Sequence, residues 1–190
     1  DEFERILEEF SIIDEIKVKL KNLQNEDPLV SVILIAHNEE RHLVSCIWSL
    51  VNNCCNSPME LIAVNNNSID HTEEILQELD MIYYNEPKKG PGYARQCGLD
   101  HARGKYSLCI DVDTMYPPHY IKTHLRQLLK PNVVCTYSLW SFIPDTSHST
   151  VGLLVYEFLR DVFLSFQAIK RPEICARGMD MGFNTKKNKK

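Results

Sequence analysis

Two aspartates one residue apart, Asp111 and Asp113, end the stretch YSLCIDVDT at residues 106–114. The apolar residues before them read as a buried strand. In an open α/β sheet, ligands bind outside the carboxyl ends of the strands. Both carboxylates would therefore stand close together at the functional edge. Two such charges repel and desolvate badly unless a cation or hydrogen-bond donors compensate them. A hard divalent ion, Mg²⁺ or Mn²⁺, shared with substrate phosphates is the natural compensator. Taken alone, the same residues could merely open a turn, because Asp favours turns and Pro117 and Pro118 come next. The stretches that precede them decide.

The elements that must position these acids are legible from hydrophobic pattern. Residues 30–40, VSVILIAHNEE, are a near-continuous apolar run of strand length followed by polar residues, as in a central parallel strand buried on both faces. Asn38 or Glu39 would open the helix that carries Leu43, Cys46, Ile47 and Leu50. A second strand at 61–64 ends in Asn65-Asn66-Asn67-Ser68, and Asp70 with Glu73 reads as a capping-box entry to the next helix. A third strand at 81–84, the turn KKGPG and a helix over 94–102 come after it. A helix through Leu129, a strand at 133–140 and an apolar helix at 151–166 complete the order. Strands alternating with helices give right-handed βαβ units. The fold class is α/β, with a mostly parallel central sheet flanked by helices.

Residues 1–27 read as an amphipathic N-terminal helix and linker, 28–185 as the main domain and 186–190 as a basic tail. The helix has apolar residues at three- and four-residue spacing, acids early and lysines late. It would pack on the domain or form a homodimer with a second copy. A chain of 190 residues that is 44% apolar can bury a real core, and its net charge of −5 gives no electrostatic ground for a nucleic-acid partner. The seven cysteines are odd in number and show no Cys-x-x-Cys, so reduced thiols and a cytoplasmic setting are expected. No secretory leader or membrane-spanning run is expected either, which leaves peripheral association at the inner face of a membrane as the membrane option.

The residues after the first strand exclude several chemistries. The strand ends in His37-Asn38-Glu39-Glu40 with no glycine, which argues against a dinucleotide fingerprint. No phosphate-binding Gly-Lys-Ser/Thr loop and no nucleophile elbow are present. The chain carries instead an ordered set: AHNEE, NNNS-x-D-x-T, GPGYAR-x-x-G, then DVD. Together these resemble the family 2 glycosyltransferases of the GT-A fold, over roughly residues 30–145. The resemblance implies a nucleotide-diphospho-sugar transferase that moves a sugar, with inversion, to a hydroxyl acceptor such as a glycan or a lipid-linked glycan in polysaccharide assembly.

Residue by residue, the resemblance implies that Ala36, His37 and Glu39 line the base and ribose. Asn66 stands where the family has a base-reading aspartate. Arg95 shapes the nucleotide site beside the glycine turn; apart from the resemblance, Lys88 and Lys89 make with it a local basic cluster that reads equally as a diphosphate neighbour or as a solvated loop. Asp111 contacts ribose or sugar, Val112 lies between the two acids, and Asp113 holds the metal with Asp111 as a secondary ligand. Asn65-Asn66-Asn67 in place of Asp-Asp-Gly loses two carboxylates, and although an amide can still read a base edge, it leaves the base open among UDP, the favoured one, GDP and dTDP. The segment RGMDMGF at 177–183 resembles the strand that precedes the family's acidic pair. No such pair comes after it, so Asp180 is the one catalytic-base candidate, set against a structural role at a strand end as the preferred reading, and the chain is expected to lack part of the acceptor side. Trp140 is an acceptor platform on this reading. Two rivals stand beside it: a catalytically incomplete nucleotide-sugar-binding module, and a nucleotidyltransferase.

Overall fold

The computed structural model describes residues 2–143, 149–170 and 180–185. Within them the order is α1 (Glu2–Leu23), β1 (Val30–Ala36), α2 (Leu43–Val51), β2 (Met59–Asn65), α3 (Thr72–Glu78), β3 (Tyr83–Asn85), α4 (Pro91–His101), β4 (Tyr106–Asp111), α5 (Tyr120–Leu128), β5 (Cys135–Tyr137), α6 (Thr150–Lys170) and β6 (Asp180–Asn184). The sheet runs β3-β2-β1-β4-β6-β5. β1 to β4 are parallel, and β6 runs antiparallel to both neighbours.

β1 and β2 are buried along their whole length, which is why their sequences show no polar alternation. Their side chains still alternate between two cores. Val32, Leu34, Leu61, Leu108 and Ile110 face α1, α2 and α5, while Ile33, Ile35, Ile62, Val64 and Cys109 face α4. Each fully buried Leu or Ile here contributes about 1.5–3 kcal/mol by leaving water. Gly98 lets α4 lie close on the sheet, because a Cβ there would meet Ile33 Cγ2 at 2.3 Å. The glycine of the sequence motif is thus a packing residue. α1 docks on its own domain: Ile16 and Leu20 are buried, and the Lys19 ammonium sits 4.8 Å over the Trp48 ring of α2.

Some boundaries differ from the sequence reading, each for a local reason. α2 starts at Leu43 because the Glu39 carbonyl first accepts the N–H groups of His42 and Leu43 in a turn. α3 starts at Thr72, and Asp70 does not cap it from within a capping box. Its carboxylate instead accepts from the Thr72 and Glu40 backbone N–H groups, bridging two loops. Glu73 reaches Asn85 Nδ2 at 2.8 Å and Tyr83 Oη at 3.1 Å, so it braces β3 rather than its own helix entry. β3 begins two residues late and β5 is shorter than expected. Residues 177–179 of the RGMDMGF segment and the tail at 186–190 lie outside the described residues.

α6 is amphipathic in reverse. Arg160 and Leu164 are buried and Glu157 and Asp161 half-buried, while Leu154, Phe158, Leu159, Phe163 and Phe166 are each at least 60% exposed. Among the described residues no helix is long and apolar enough to cross a membrane. The described cysteines, Cys46, Cys54, Cys55, Cys97, Cys109 and Cys135, are free thiols. Burial pushes the Cys109 thiol up to about 12, which keeps it inert.

Candidate active site

The strand order reverses direction of growth between β1 and β4: the chain leaves β1 toward β2 on one side and returns to β4 on the other. That switch point is where an open α/β sheet leaves a crevice. A cavity of about 370 Å³ lies there. Ile35 and His37 line it from β1 and the loop after it, and Asp111 from β4; Ile35 and Asp111 are register partners. Glu39, Asn66, Val112 and Asp113 complete the acidic and central wall, and Lys89, Gly90 and Pro91 form the wall at the N-terminus of α4.

The Asp-Val-Asp turn is anchored by what lies between and behind the acids. Val112 is 1% exposed, so its side chain plugs into the core and leaves both aspartates at the cavity. Tyr116 Oη donates to the Asp111 carbonyl at 2.8 Å, and the Tyr116 N–H reaches Ser49 Oγ at 3.0 Å. Arg95 comes from the second turn of α4 and places Nη2 3.3 Å from Asp111 Oδ1. Burial pushes the Asp111 carboxyl up to about 6. Arg95 opposes that rise, and Asp113 and Asp180 add to it. The fold thus holds a carboxylate where its charge is poorly compensated.

The loops after β1 and β2 are fastened together. Asn38 and Asn67 both adopt the left-handed conformation, at φ 57° and 58°, which asparagine tolerates better than most residues. Asn38 Oδ1 accepts the Ile69 N–H and its own N–H reaches Ser68 Oγ. His37 Nδ1 donates to the Asn66 carbonyl at 2.7 Å, leaving Nε2 as the ring's acceptor. Glu39 pairs its Oε2 with His42 Nδ1 at 2.9 Å. Ala36 is fully buried and joins β1 to the second loop through its carbonyl, which accepts the Asn66 N–H. Its side chain does not line the cavity, so it shapes the site from behind.

Asn66 lines the cavity, yet its amide is committed to the glycine turn. Nδ2 donates to the carbonyls of Glu86 and Lys88, and Oδ1 accepts the Gly90 N–H. Gly90 itself needs its φ of 134°, which few side chains allow. A carboxylate could not donate to those two carbonyls, so the departure from aspartate at this position has a structural reason. Asn66→Asp is expected to lower stability by about 1–3 kcal/mol through two carbonyls left without donors. Urea denaturation of both proteins checks this, and an unchanged midpoint would sink it.

The arrangement suits a bound cation. Both acids are hard oxygen donors, Asp111 lacks full compensation, and the Arg95 Nε–H is buried with no acceptor among the described residues. Those residues hold no cluster of three or more His, Cys, Asp or Glu able to cage a metal by themselves. An open two-carboxylate site completed by phosphate oxygens and water is the usual form for Mg²⁺ or Mn²⁺. Asp180 stands on the far side of this turn, where it accepts the Tyr120 hydroxyl and lines a second cavity with Trp140. The site therefore gathers His37, Glu39, Asn66, Arg95, Asp111, Val112 and Asp113. Lys89 joins them at the cavity wall, and Lys88 instead lies 5.5 Å over the Tyr93 ring.

The domain is thus an α/β unit with a cleft at its switch point and paired acids at one strand end. The comparison with known proteins narrows this: the chain matches glycosyl transferase family 2 over residues 31–183 and belongs to that family. It is 28% identical over 134 residues to the Escherichia coli UDP-Glc:alpha-D-GlcNAc-diphosphoundecaprenol beta-1,3-glucosyltransferase WfgD, covering 68% of this chain and 52% of that one. It is 32% identical over 126 residues to the uncharacterized glycosyltransferase RP339 of Rickettsia prowazekii, covering 64% and 39%. Glucosyl-3-phosphoglycerate synthase of Mycobacterium tuberculosis, solved with UDP, superposes with a TM-score of 0.60 at 20% identity, covering 92% of this chain and 61% of that one. The neighbouring structures are GT-A glycosyltransferases, and the fold is theirs. The chain spans about half the length of the curated relatives it matches, or less.

Proposed function

We propose that the domain binds a nucleotide-diphospho-sugar, with UDP the favoured nucleotide, and transfers the sugar with inversion to a hydroxyl acceptor. One observation carries the reading: a pair of carboxylates at the switch-point end of β4, with the Asp111 charge left undercompensated beside an unpartnered Arg95 N–H. That is a site suited to a cation and an anion together. Family membership supports it, as does the relative named for UDP-glucose.

In this reading Asp113 holds the Mg²⁺ or Mn²⁺, with Asp111 as second ligand. A bound divalent ion would offset the diphosphate charge and stabilise the departing nucleoside diphosphate. The chain's own residues do the rest. His37 and Glu39 wall the nucleoside, while Asn66 shapes the turn that closes over it. Arg95 and Lys89 face the phosphates as fixed positive charge, which acts strongly in a half-buried cleft. Asp180, held by Tyr120, accepts the hydrogen of the acceptor hydroxyl as it attacks from the opposite face. The product belongs to polysaccharide or lipid-linked glycan assembly.

Calorimetric titration of UDP, GDP and dTDP, each with and without Mn²⁺, tests the donor assignment. One nucleotide, UDP, is expected to bind measurably and only with the metal. Binding of none, or binding indifferent to Mn²⁺, would remove the reading.

A further inference from the structure

α6 keeps its charged residues toward its own domain and turns its apolar residues outward. Arg160 is buried with its guanidinium 4.7 Å from the Trp140 ring, Leu164 is buried, and Glu157 and Asp161 are half-buried. Val155, Leu159, Val162, Phe166 and Ile169 lie on the other side, from 39% exposed at Val162 to 81% at Ile169. Their spacing alternates four and three residues, and Gly152 extends the series three residues before Val155. Every a and d position of a heptad repeat is thus apolar or glycine. Packing on the domain calls for an apolar stripe on the inner side of a helix. A stripe of period 3.5 on the outer side is the pattern that fits a second helix.

Aromatic residues widen the seam. Tyr156, Phe158 and Phe163 are each more than half exposed. With an aromatic side chain covering about 150–250 Å², seam and flanks leave on the order of 900 Å² of apolar surface in water. The largest patch on a typical monomer is about 300–600 Å². A partner helix covering two-thirds of this face would bury about 600 Å² a side, the lower end of specific interfaces.

The seam complements itself when reversed. An antiparallel second α6, with a two-fold axis between Leu159 and Val162, sets Leu159 opposite Val162, Phe166 opposite Val155 and Ile169 opposite Gly152. Each larger residue then meets a smaller one, as interdigitated packing requires. The space over Gly152 is open: outside its own helix backbone, a Cβ there would meet only Ser149 Cβ, at 3.8 Å. Parallel pairing would instead crowd Phe166 on Phe166 and leave a void between two copies of Gly152. Antiparallel helices also oppose their dipoles favourably.

A lipid surface suits this face less well. Helices that lie in a membrane interface carry lysine and arginine on their polar side. α6 has Glu157 and Asp161 there, and the chain's net charge is −5, which anionic lipid repels. The N-terminal helix is no rival for pairing through its own apolar stripe, since Ile16 and Leu20 are already buried on the domain.

We propose that α6 is a self-association surface that pairs antiparallel with α6 of a second copy of this chain. The pairing does not depend on what the donor cleft binds. An interface of this modest size gives a dissociation constant in the micromolar range, and at lower concentrations the face stands open to water.

Sedimentation velocity of the 190-residue chain, from about 0.5 to about 200 µM, tests this. The expected result is a shift from 22.0 kDa to twice that mass as concentration rises. Leu159→Glu with Val162→Glu brings like charges together across the axis and should raise the dissociation constant at least about 100-fold. Both residues are exposed, so far-ultraviolet circular dichroism should not change. Leu159→Glu with Val162→Lys sets acid against base only in the antiparallel arrangement. It should recover at least about tenfold of that loss in low salt and lose the gain in high salt. A parent chain that stays monomeric throughout, or a dimer indifferent to the two glutamates, would overturn the proposal. So would a Glu–Lys variant no better than the Glu–Glu one. A monomeric parent that floats with phosphatidylcholine–phosphatidylglycerol vesicles would overturn it in favour of a lipid-binding face.

Discussion

Asp113→Ala is expected to weaken metal-dependent UDP binding by at least about 100-fold, the loss expected when a charged ligand leaves a small site. Asp111→Asn should also weaken binding while moving stability the other way. The Asp111 carboxyl titrates near 6 in the fold against a reference of 3.8, chiefly because burial disfavours its charge. Between those values the folded chain holds more protons than the unfolded one, so its stability falls as pH rises. The amide carries no charge, so that part of the profile should flatten and the melting temperature at neutral pH should rise. Melting curves of both proteins from about pH 4 to about pH 7.5, in metal-free buffer, check this. Parallel curves would show that Asp111 is not the strained group.

The second large effect lies at the opposite edge of the sheet. Glu60 is 1% exposed and its carboxylate accepts from Ser31 Oγ, the Arg103 backbone N–H and Arg103 Nε, at 2.6, 2.8 and 2.8 Å. Arg103 then reaches the carbonyls of Asn25 and Glu26, tying the linker after α1 to the sheet. Glu60→Ala strands the buried Ser31 hydroxyl and the Arg103 backbone N–H, while the half-exposed Arg103 guanidinium keeps its access to water, an expected loss of about 1–3 kcal/mol. Glu60→Gln retains the shape and one acceptor and should lose less. Equilibrium urea unfolding of the two variants ranks them. If alanine lost no more than about 1 kcal/mol, the network would be ordinary surface pairing.

What the sequence revealed and what it hid differ by the range of the interaction. β1, β2 and β4 were legible because a strand buried on both faces must be apolar throughout. Asp111 and Asp113 were legible because no neighbouring residue competes for the strand end. Glu60 was not: it precedes an apolar run like any polar flank, and its partner Arg103 is 43 residues away. The meeting of Tyr120 with Asp180, 60 residues apart, was equally hidden. So was the placement of β6 between β4 and β5, since three-residue β5 gives little pattern to read. Asn66 was assigned its place in the cleft, but its commitment to the glycine turn depends on carbonyls 20 residues downstream at Glu86 and 22 at Lys88, which no local pattern announces. Glu73 looked like a cap and serves as a brace for the same reason.

The reversed face of α6 also decides how this protein can be assayed. Environment-sensitive dyes report unfolding by brightening on newly exposed apolar surface, and here a long apolar patch is exposed while the chain is folded. Such a dye will fluoresce at the start of a melt, and its signal will fall or stay flat through the transition. Intrinsic circular dichroism is the sounder probe for every comparison of variant stability. The same baseline glow, compared between the parent chain and Phe163→Ser, measures how much of the patch is reached by solvent.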